Sequence, residues 1–171
     1  MKERSGIITK NGNPVTLVGN EIRIGDIAPD FTVLDNSGNE VKYSSFKGNT
    51  IIISSVLSLD TGLCDLQTKR FNKEAENIGA DIKIITISMD LPYAQKRWCG
   101  AEGVTNVQTL SDHRDASFGI AYGVLIKELR LLARAVFVID KEGIINYVQI
   151  VDDTSHHPDY DAVLEAVRKL K

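Results

Sequence analysis

An apolar run that leads directly into a helical pattern is the feature that most constrains how this chain folds. Residues 51–57 (IIISSVL) are long and apolar enough for a buried strand. Beyond a short polar stretch, one set of residues recurs at the spacings of a single helix face. Its members are Cys64, Thr68, Phe71, Ala75 and Ile78. The sequence therefore predicts a buried strand followed by a helix over about residues 62–78, with a cysteine on its inward side.

The cysteine at the start of this helix, Cys64, occupies a position that favours reaction. It closes the stretch Asp60-Thr61-Gly62-Leu63-Cys64, so it lies in or near the first helical turn. Backbone N–H groups in that turn have no partner within the helix, and the peptide dipoles place their positive end there. Both effects favour the thiolate over the thiol, and the thiolate is the reactive form. We interpret Cys64 as a reactive cysteine.

The rest of the chain predicts a single α/β domain. An N-terminal hairpin is expected around Asn11-Gly12, and a second one around residues 36–39. Pro92 suits the first position of a helix that ends before Gly103, and its predicted inward face holds Leu91, Ala94, Trp98 and Ala101. Further strands are expected at 81–88, 107–110, 133–140 and 144–151, and helices at 115–122 and 160–170. This order predicts an α/β sandwich over residues 1–171, with residues 1–20 as a hairpin extension.

Charge and hydropathy exclude several classes of protein. The net charge of −3 argues against a nucleic-acid surface, and no cluster of Lys and Arg is dense enough to overrule it. The apolar runs are far shorter than the roughly 20 residues of a membrane span. The first residues lack the apolar segment and cleavage site of an export signal. We therefore expect a cytoplasmic protein, in a compartment where thiols are kept reduced.

The chain has two cysteines, Cys64 and Cys99. Two small buried apolar residues are the ordinary interpretation of such a pair, because cysteine is among the most buried residue types. No C-x-x-C occurs, so a thioredoxin-type dithiol motif is absent. Three scattered histidines and two thiols do not have zinc-site spacing, so we expect no metal.

Two further residues bear on Cys64. Thr61 lies at or near the helix N-cap, where it would either bond to a backbone N–H or bind a ligand above the thiolate. Arg134 opens an apolar strand, where an arginine is ordinarily solvated at the rim. If its side chain instead points inward, the guanidinium would favour the thiolate form of Cys64 and still offer donors to a second group.

These motifs resemble the bacterial thiol peroxidase branch of the peroxiredoxins, the atypical 2-Cys type, over nearly the whole chain. The segments that carry the resemblance are Asp60-Thr61-Gly62-Leu63-Cys64, Arg97-Trp98-Cys99-Gly100-Ala101-Glu102-Gly103 and Ala133-Arg134-Ala135-Val136, supported by Gly12-Asn13-Pro14-Val15-Thr16-Leu17, Ser111-Asp112-His113-Arg114, Ala121-Tyr122-Gly123-Val124 and Pro158-Asp159-Tyr160. The T-x-x-C element alone would be weak, but together the motifs are specific.

The resemblance implies a thioredoxin-like sandwich with a central mixed sheet, flanking helices and an N-terminal β-hairpin. It implies that Cys64 is the peroxidatic cysteine and Cys99 the resolving cysteine of the same subunit, with Thr61 and Arg134 completing the pocket. It further implies an antioxidant enzyme that reduces hydrogen peroxide and alkyl hydroperoxides without a cofactor, is recycled by thioredoxin, and forms a homodimer.

One position departs from the family pattern P-x-x-x-T-x-x-C. Its proline would fall at position 57, where this chain has Leu57. Proline there fixes φ and removes an N–H, whereas leucine shields by bulk alone and restores the donor. We expect Leu57 to form a wall of the substrate pocket and to change the enzyme's efficiency or peroxide preference.

Three alternatives compete with this interpretation. A disulfide reductase on the same fold is disfavoured because the chain lacks C-x-x-C. A redox sensor or binding protein would share the disulfide switch but would not turn over. A structural domain with two inert core cysteines would not react with alkylating agents near neutral pH.

Overall fold

The computed structural model describes residues 1–171 as two sheets and four helices. The strands are β1 Glu3–Lys10, β2 Asn13–Val18, β3 Thr32–Leu34, β4 Glu40–Lys42, β5 Thr50–Ser55, β6 Ile82–Ser88, β7 Gln108–Ser111, β8 Leu125–Ile126, β9 Leu131–Leu132, β10 Ala135–Ile139 and β11 Ile145–Ile150. The helices are α1 Gly62–Ile78, α2 Pro92–Glu102, α3 Ser117–Ala121 and α4 Tyr160–Arg168, and a short 3₁₀ helix spans Tyr43–Phe46.

The larger sheet has seven strands in the order β11-β10-β5-β6-β7-β3-β4. Its pairs β5–β6 and β6–β7 are parallel and the others antiparallel, so the sheet is mixed. Every residue of β5 is buried, which requires cover on both faces of the sheet and explains why its sequence is a continuous apolar run. Helices α1, α2 and α4 pack against this sheet, which confirms the predicted α/β sandwich.

The N-terminal hairpin is present and belongs to a second sheet, in the order β1-β2-β8-β9. Its turn has positive φ angles at Asn11 (48°) and Gly12 (84°), the conformation for which an Asn-Gly pair is suited. Strands β8 and β9 have two residues each, too few to show an alternating pattern in the sequence.

The hairpin is also tied to the segment after β11. Backbone bonds join Thr9 N to Asp152 O (2.9 Å) and Thr154 N to Thr9 O (3.0 Å). The Asp153 carboxylate accepts from the Thr9 hydroxyl and from Gly12 N at 2.9 Å. The Ser155 hydroxyl also donates to this carboxylate, at 2.6 Å. Together these bonds lower the pKa of Asp153, and the bond from Ser155 has the largest effect. The hairpin thus fixes the position of residues 152–155.

Helix α1 has the predicted bounds and inward face, whereas the predicted face of α2 is only partly right, since Trp98 is buried and Ala94 half-buried. Leu91 and Ala101 are exposed, and Gln95 is buried in their stead. The Gln95 amide donates to Ser88 Oγ and Leu110 O, at 2.9 Å each. Neighbouring strands therefore supply partners that make this polar residue acceptable in the interior. None of the four helices has the length and apolar character needed to cross a membrane.

Candidate active site

Cys64 lies in the first turn of α1 and is fully buried. The residues before it follow the carboxyl end of β5, so the first turn of α1 lies at that end of the strand. Thr61 is the N-cap residue, and its carbonyl accepts from Asp65 N at 3.0 Å. The sequence prediction for the position of the cysteine is thus confirmed.

Arg134 is brought to Cys64 by strand pairing. It immediately precedes β10, which pairs antiparallel with β5 so that Ala135 faces Ser55. This register places Arg134 beside the carboxyl end of β5, where α1 begins. Its side chain is 2% exposed, and Nη1 lies 3.4 Å from Cys64 Sγ. The solvated rim position, the ordinary place for such an arginine, is not the one observed.

The guanidinium of Arg134 is held by neutral groups. Nε and Nη2 donate to Thr154 O at 3.3 and 2.8 Å, and Nη1 donates to Gln67 Oε1 at 2.8 Å. None of these partners is a carboxylate, and Arg134 takes part in no salt bridge. A buried cation without an anionic partner is costly, and a thiolate at Cys64 would supply the missing negative charge. The guanidinium is therefore a charged donor directed at the sulfur of Cys64.

Gln67 is a functional candidate that the sequence analysis missed. It is fully buried, one helical turn after Cys64, and its Nε2 donates to Ser54 Oγ at 2.7 Å. Its amide thus connects β5 to the guanidinium of Arg134. The sequence does contain a signal for this residue. Gln67 lies three residues after Cys64 and so shares the apolar face of α1, where a polar side chain is unusual.

Tyr160 lies at the border of the site. Desolvation raises its pKa, while the charges of Arg134 and Arg70 act in the opposite direction and that of Cys64 adds to the rise. The guanidinium of Arg70 lies 4.7 Å from the centre of the Tyr160 ring, and the ring packs edge-on against Phe71 at 5.4 Å. Tyr160 therefore packs against α1 beside the charged groups of the site.

Thr61 and Leu57 occupy the loop between β5 and α1. The Thr61 hydroxyl does not cap the helix: it donates to Ser58 O at 2.9 Å and is exposed. Donation to a ligand would require that hydroxyl to rotate away from Ser58. Leu57 is 6% exposed and belongs to the same apolar cluster as Cys64.

Asp90, which follows β6, holds the loop between β5 and α1 through its carboxylate. Its carboxylate accepts from Ser58 Oγ at 2.7 Å and from Leu59 N at 2.8 Å. The loop is therefore held by hydrogen bonds just after the position at which the family pattern has its proline.

Cys99 lies near the end of α2, half-buried, in a different environment. Its Sγ is 3.3 Å from Thr109 Oγ1, whose hydroxyl donates to Asn36 Oδ1 at 2.9 Å. The thiol borders an open depression of about 260 Å³ lined by polar groups that include Ser37 and Gln108. Both cysteines are free thiols, so the structure describes the reduced protein, in which Cys64 and Cys99 face different partners.

His156 and His157 are exposed, in the segment between β11 and α4. His156 pairs with Asp152 at 2.9 Å, and this hydrogen bond raises the pKa of His156 and lowers that of Asp152. His157 Nδ1 lies 2.9 Å from the hydroxyl of Tyr160, so this histidine contacts the border of the site, whereas His156 bonds to Asp152.

Comparison with known proteins gives the same class as the fold and the site. Residues 23–164 match the Redoxin family, so the chain belongs to that family. A peroxiredoxin-like protein from Aquifex aeolicus has a crystal structure that superposes with a TM-score of 0.91 and 41% identity, covering 98% of each chain. The sandwich described above is thus the thioredoxin-like fold of the peroxiredoxins.

Curated relatives narrow the family further. A thiol peroxidase from Bacillus subtilis is 56% identical over 163 residues, which cover 95% of this chain and 97% of the relative. A thiol peroxidase from Oceanobacillus iheyensis is 55% identical over 162 residues, covering 95% and 98%. The chain belongs to the thiol peroxidase family and is an enzyme of the peroxiredoxin type.

Proposed function

We propose that this enzyme reduces hydrogen peroxide and alkyl hydroperoxides with Cys64 as the peroxidatic cysteine. The observation that carries the proposal is the buried Arg134 guanidinium, 3.4 Å from Cys64 Sγ and without an anionic partner. The family membership of the chain supports the same chemistry. No cofactor or metal takes part in this reaction scheme.

In the first step, the Cys64 thiolate attacks one peroxide oxygen. An S–O bond forms, the O–O bond breaks, and the departing oxygen takes a proton to leave as water or alcohol, while Cys64 becomes a sulfenic acid. Negative charge develops on the departing oxygen. Arg134, the Cys64 backbone N–H and the Thr61 hydroxyl, once rotated from Ser58, are the donors that stabilise this charge.

In the second step, Cys99 resolves the sulfenic acid within the same subunit. Its sulfur attacks Cys64 Sγ, an S–S bond forms, the S–O bond breaks and water leaves after protonation. An external dithiol, thioredoxin in this proposal, then reduces the Cys64–Cys99 disulfide. In the reduced protein Cys64 contacts Arg134 and Cys99 contacts Thr109, so each thiol has to leave its partner, and we infer that the turns that carry the cysteines rearrange.

The remaining assignments are proposals as well. Residues 1–171 work as one cytoplasmic domain with residues 1–20 as its hairpin extension, and the enzyme is a homodimer.

Leu57 forms a pocket wall and modifies efficiency or peroxide preference. Replacing Leu57→Pro should change the rate for at least one peroxide by about two- to fivefold, within the range expected for altered loop freedom; unchanged rates for every peroxide would refute this role.

A coupled assay tests the proposed function. Peroxide is added to the enzyme with thioredoxin, thioredoxin reductase and NADPH, and NADPH consumption is followed. Sustained consumption that is lost in Cys64→Ser supports the enzyme, whereas a single stoichiometric oxidation identifies a redox sensor. Cys99→Ser should give one turnover and then stop; normal cycling with thioredoxin in that variant would contradict the resolving role of Cys99.

A further inference from the structure

One face of α1 is joined to the end of α2 by polar side chains. Asp65, Lys69 and Asn72 lie on this face at spacings of four and three. Asp65 Oδ1 accepts from Trp98 Nε1 at 2.9 Å, and Asn72 Oδ1 accepts from Asn106 N at 2.8 Å. We call the set the clasp; it comprises Asp65, Lys69, Asn72, Trp98, Glu102 and Asn106.

Lys69 connects the two helices at the centre of the clasp. Its Nζ binds Asp65 Oδ2 at 2.9 Å and Glu102 Oε2 at 2.8 Å. Both carboxylate oxygens of Asp65 are therefore engaged, one by Trp98 and one by Lys69. The Asp65 side chain is 23% exposed and Trp98 is 7% exposed, so the bond between them is shielded from competing water.

The clasp is next to both cysteines in the sequence. Asp65 directly follows Cys64, and Trp98 directly precedes Cys99. The Asp65–Trp98 bond thus joins the two turns that must rearrange before a disulfide can form. In the reduced protein each thiol is bonded elsewhere, Cys64 to Arg134 and Cys99 to Thr109.

Besides the clasp, the end of α2 is held by the burial of Trp98 and by the contact of Cys99 with Thr109. The C-cap is Gly103 in the left-handed conformation (φ 66°), and the last turn includes Gly100, which is weakly helical. Two backbone bonds, from Gly103 N and from Val104 N (3.2 Å), meet at Cys99 O and close the terminus. Loss of the Trp98 anchor would therefore release the Cys99 turn more easily than the long, internally bonded α1.

We propose that Asp65 and Trp98 are positioning residues that keep the Cys64 and Cys99 turns closed, and that their bond sets how the oxidised Cys64 is divided between two fates. This inference rests on the proposed peroxidase function. In one fate, Cys99 attacks the sulfenic sulfur and water leaves. In the other, the sulfenic group attacks a second peroxide: an S–O bond forms, the O–O bond breaks, water or alcohol leaves, and Cys64 becomes a sulfinic acid.

The closed clasp prolongs the sulfenic acid beside Arg134, where a second peroxide is activated as the first one is. An open clasp frees Cys99 to react first. A weaker clasp should therefore speed disulfide formation and protect Cys64 from sulfinic acid, with little effect on the first oxidation.

The test uses Trp98→Phe, which keeps an aromatic ring and removes the N–H. Glu74→Gln is the matched control, because the Arg70–Glu74 pair (3.0 Å) joins two residues of α1 itself. After rapid mixing with excess peroxide, quenched samples are analysed by mass spectrometry for sulfenic acid, disulfide and sulfinic acid. Trp98→Phe should form the disulfide about tenfold faster, the factor that one charge-assisted bond represents, and accumulate correspondingly less sulfinic acid. The first oxidation should stay within about twofold of wild type.

Hydrogen exchange of the reduced protein tests the clasp without any peroxide. Amides of residues 62–66 and 98–103 should exchange faster in Trp98→Phe, in α1 as well as in α2, and not in Glu74→Gln. Lys69→Gln, which breaks the ion pairs to Asp65 and Glu102 but keeps the Asp65–Trp98 bond, should have a smaller effect in the same direction and serves if Trp98→Phe does not fold.

The outcomes separate the two proposals. If wild-type protein forms no disulfide with peroxide, the proposed function fails, and hydrogen exchange still decides whether the clasp closes both turns. If the disulfide forms normally but the Trp98 and Lys69 variants match wild type in exchange and in sulfinic acid yield, the clasp is wrong and the peroxidase stands.

Discussion

The two thiols of this enzyme occupy opposite kinds of environment. Cys64 is fully buried at the start of a helix, beside a guanidinium that three hydrogen bonds to Thr154 and Gln67 hold in place. Cys99 is half-buried near the end of a helix, in contact with one neutral hydroxyl and an open depression. Cys64 thus lies beside a charged group that hydrogen bonds hold in place. Cys99 has a neutral neighbour that holds its thiol only weakly.

This difference matches the two tasks that we propose for the thiols. Attack on a peroxide needs donors that are already in place when charge develops, because reorganising them during the reaction would raise the barrier. Resolution needs a thiol that can travel to its target, so a strongly held position would slow it. The structure separates preorganisation from mobility by placing each thiol at a different helix end.

Removing the charge beside Cys64 should have the largest effect. Arg134→Met keeps much of the side chain volume and deletes the guanidinium, so the rate of peroxide reduction should fall by about 10²- to 10³-fold, as for loss of a preorganised donor. Stopped-flow measurement of the first oxidation gives this rate. Arg134→Lys is the control: it keeps the charge but not the fork of donors, and recovery of the full rate would show that hydrogen-bond geometry is unimportant.

Loosening the guanidinium without removing it should have a smaller effect. Gln67→Leu deletes the acceptor for Arg134 Nη1 and the donor to Ser54, and the first oxidation should slow by about tenfold, the loss of one hydrogen bond to a charged group. Gln67→Glu keeps the acceptor oxygen but gives Arg134 the anionic partner that it lacks, so this variant should also slow the first oxidation. Equal rates for Gln67→Leu and wild type would show that Arg134 needs no support from α1.

At the other thiol, the corresponding change should act in the opposite direction. Thr109→Val removes the hydroxyl that binds Cys99 Sγ, and disulfide formation should become about two- to threefold faster, since one weak neutral bond no longer retains the thiol. The first oxidation at Cys64 should not change. Slower resolution in Thr109→Val would mean that Thr109 guides Cys99 instead of retaining it, which would break the comparison.

Any comparison of the two thiols across pH has to account for Asp112. Burial raises its pKa to about 6, although bonds from Gly119 N and Phe118 N act in the opposite direction. The folded-state pKa lies above the ordinary 3.8. The contribution of protonated Asp112 to the free energy of unfolding is therefore complete below pH 3.8 and is lost as the pH rises through 6. The loss amounts to roughly 3 kcal/mol at most.

Denaturant unfolding of wild type and Asp112→Asn between pH 4 and 7 checks this effect. The asparagine does not titrate, so the difference in unfolding free energy between the two proteins should shrink as the pH rises. A constant difference would show that Asp112 does not titrate in this window. Neither thiol reaction should respond to the substitution at pH 7.

The parts of the fold that follow from local pattern could be predicted from the sequence. The face of α1 has a clear helical period, and the Asn-Gly turn requires positive φ angles, so the helix and the hairpin are as expected. The face of α2 could be obtained only in part in this way. Gln95 is acceptable inside only because Ser88 and Leu110 O lie beside it, and these partners come from other strands.

The same division applies to the site. Cys64 is marked locally by its place at a helix start, but Arg134 reaches it only through the pairing of β10 with β5, which no local pattern specifies. The sequence made Arg134 a candidate with a solvated alternative, and the family resemblance implied its place in the pocket. Gln67 was missed because its value depends on Arg134, and the clasp because it joins helices whose relative placement the sequence does not state.

The N-terminal hairpin has a consequence for protein engineering. Thr9 binds the backbone of Thr154, and the carbonyl of Thr154 in turn accepts two bonds from Arg134. A terminus that looks dispensable is thus one bond removed from the group that fixes the reactive charge. A fusion or truncation at this end should leave the hairpin whole, because trimming it would remove the bond that holds Thr154 and thereby loosen Arg134.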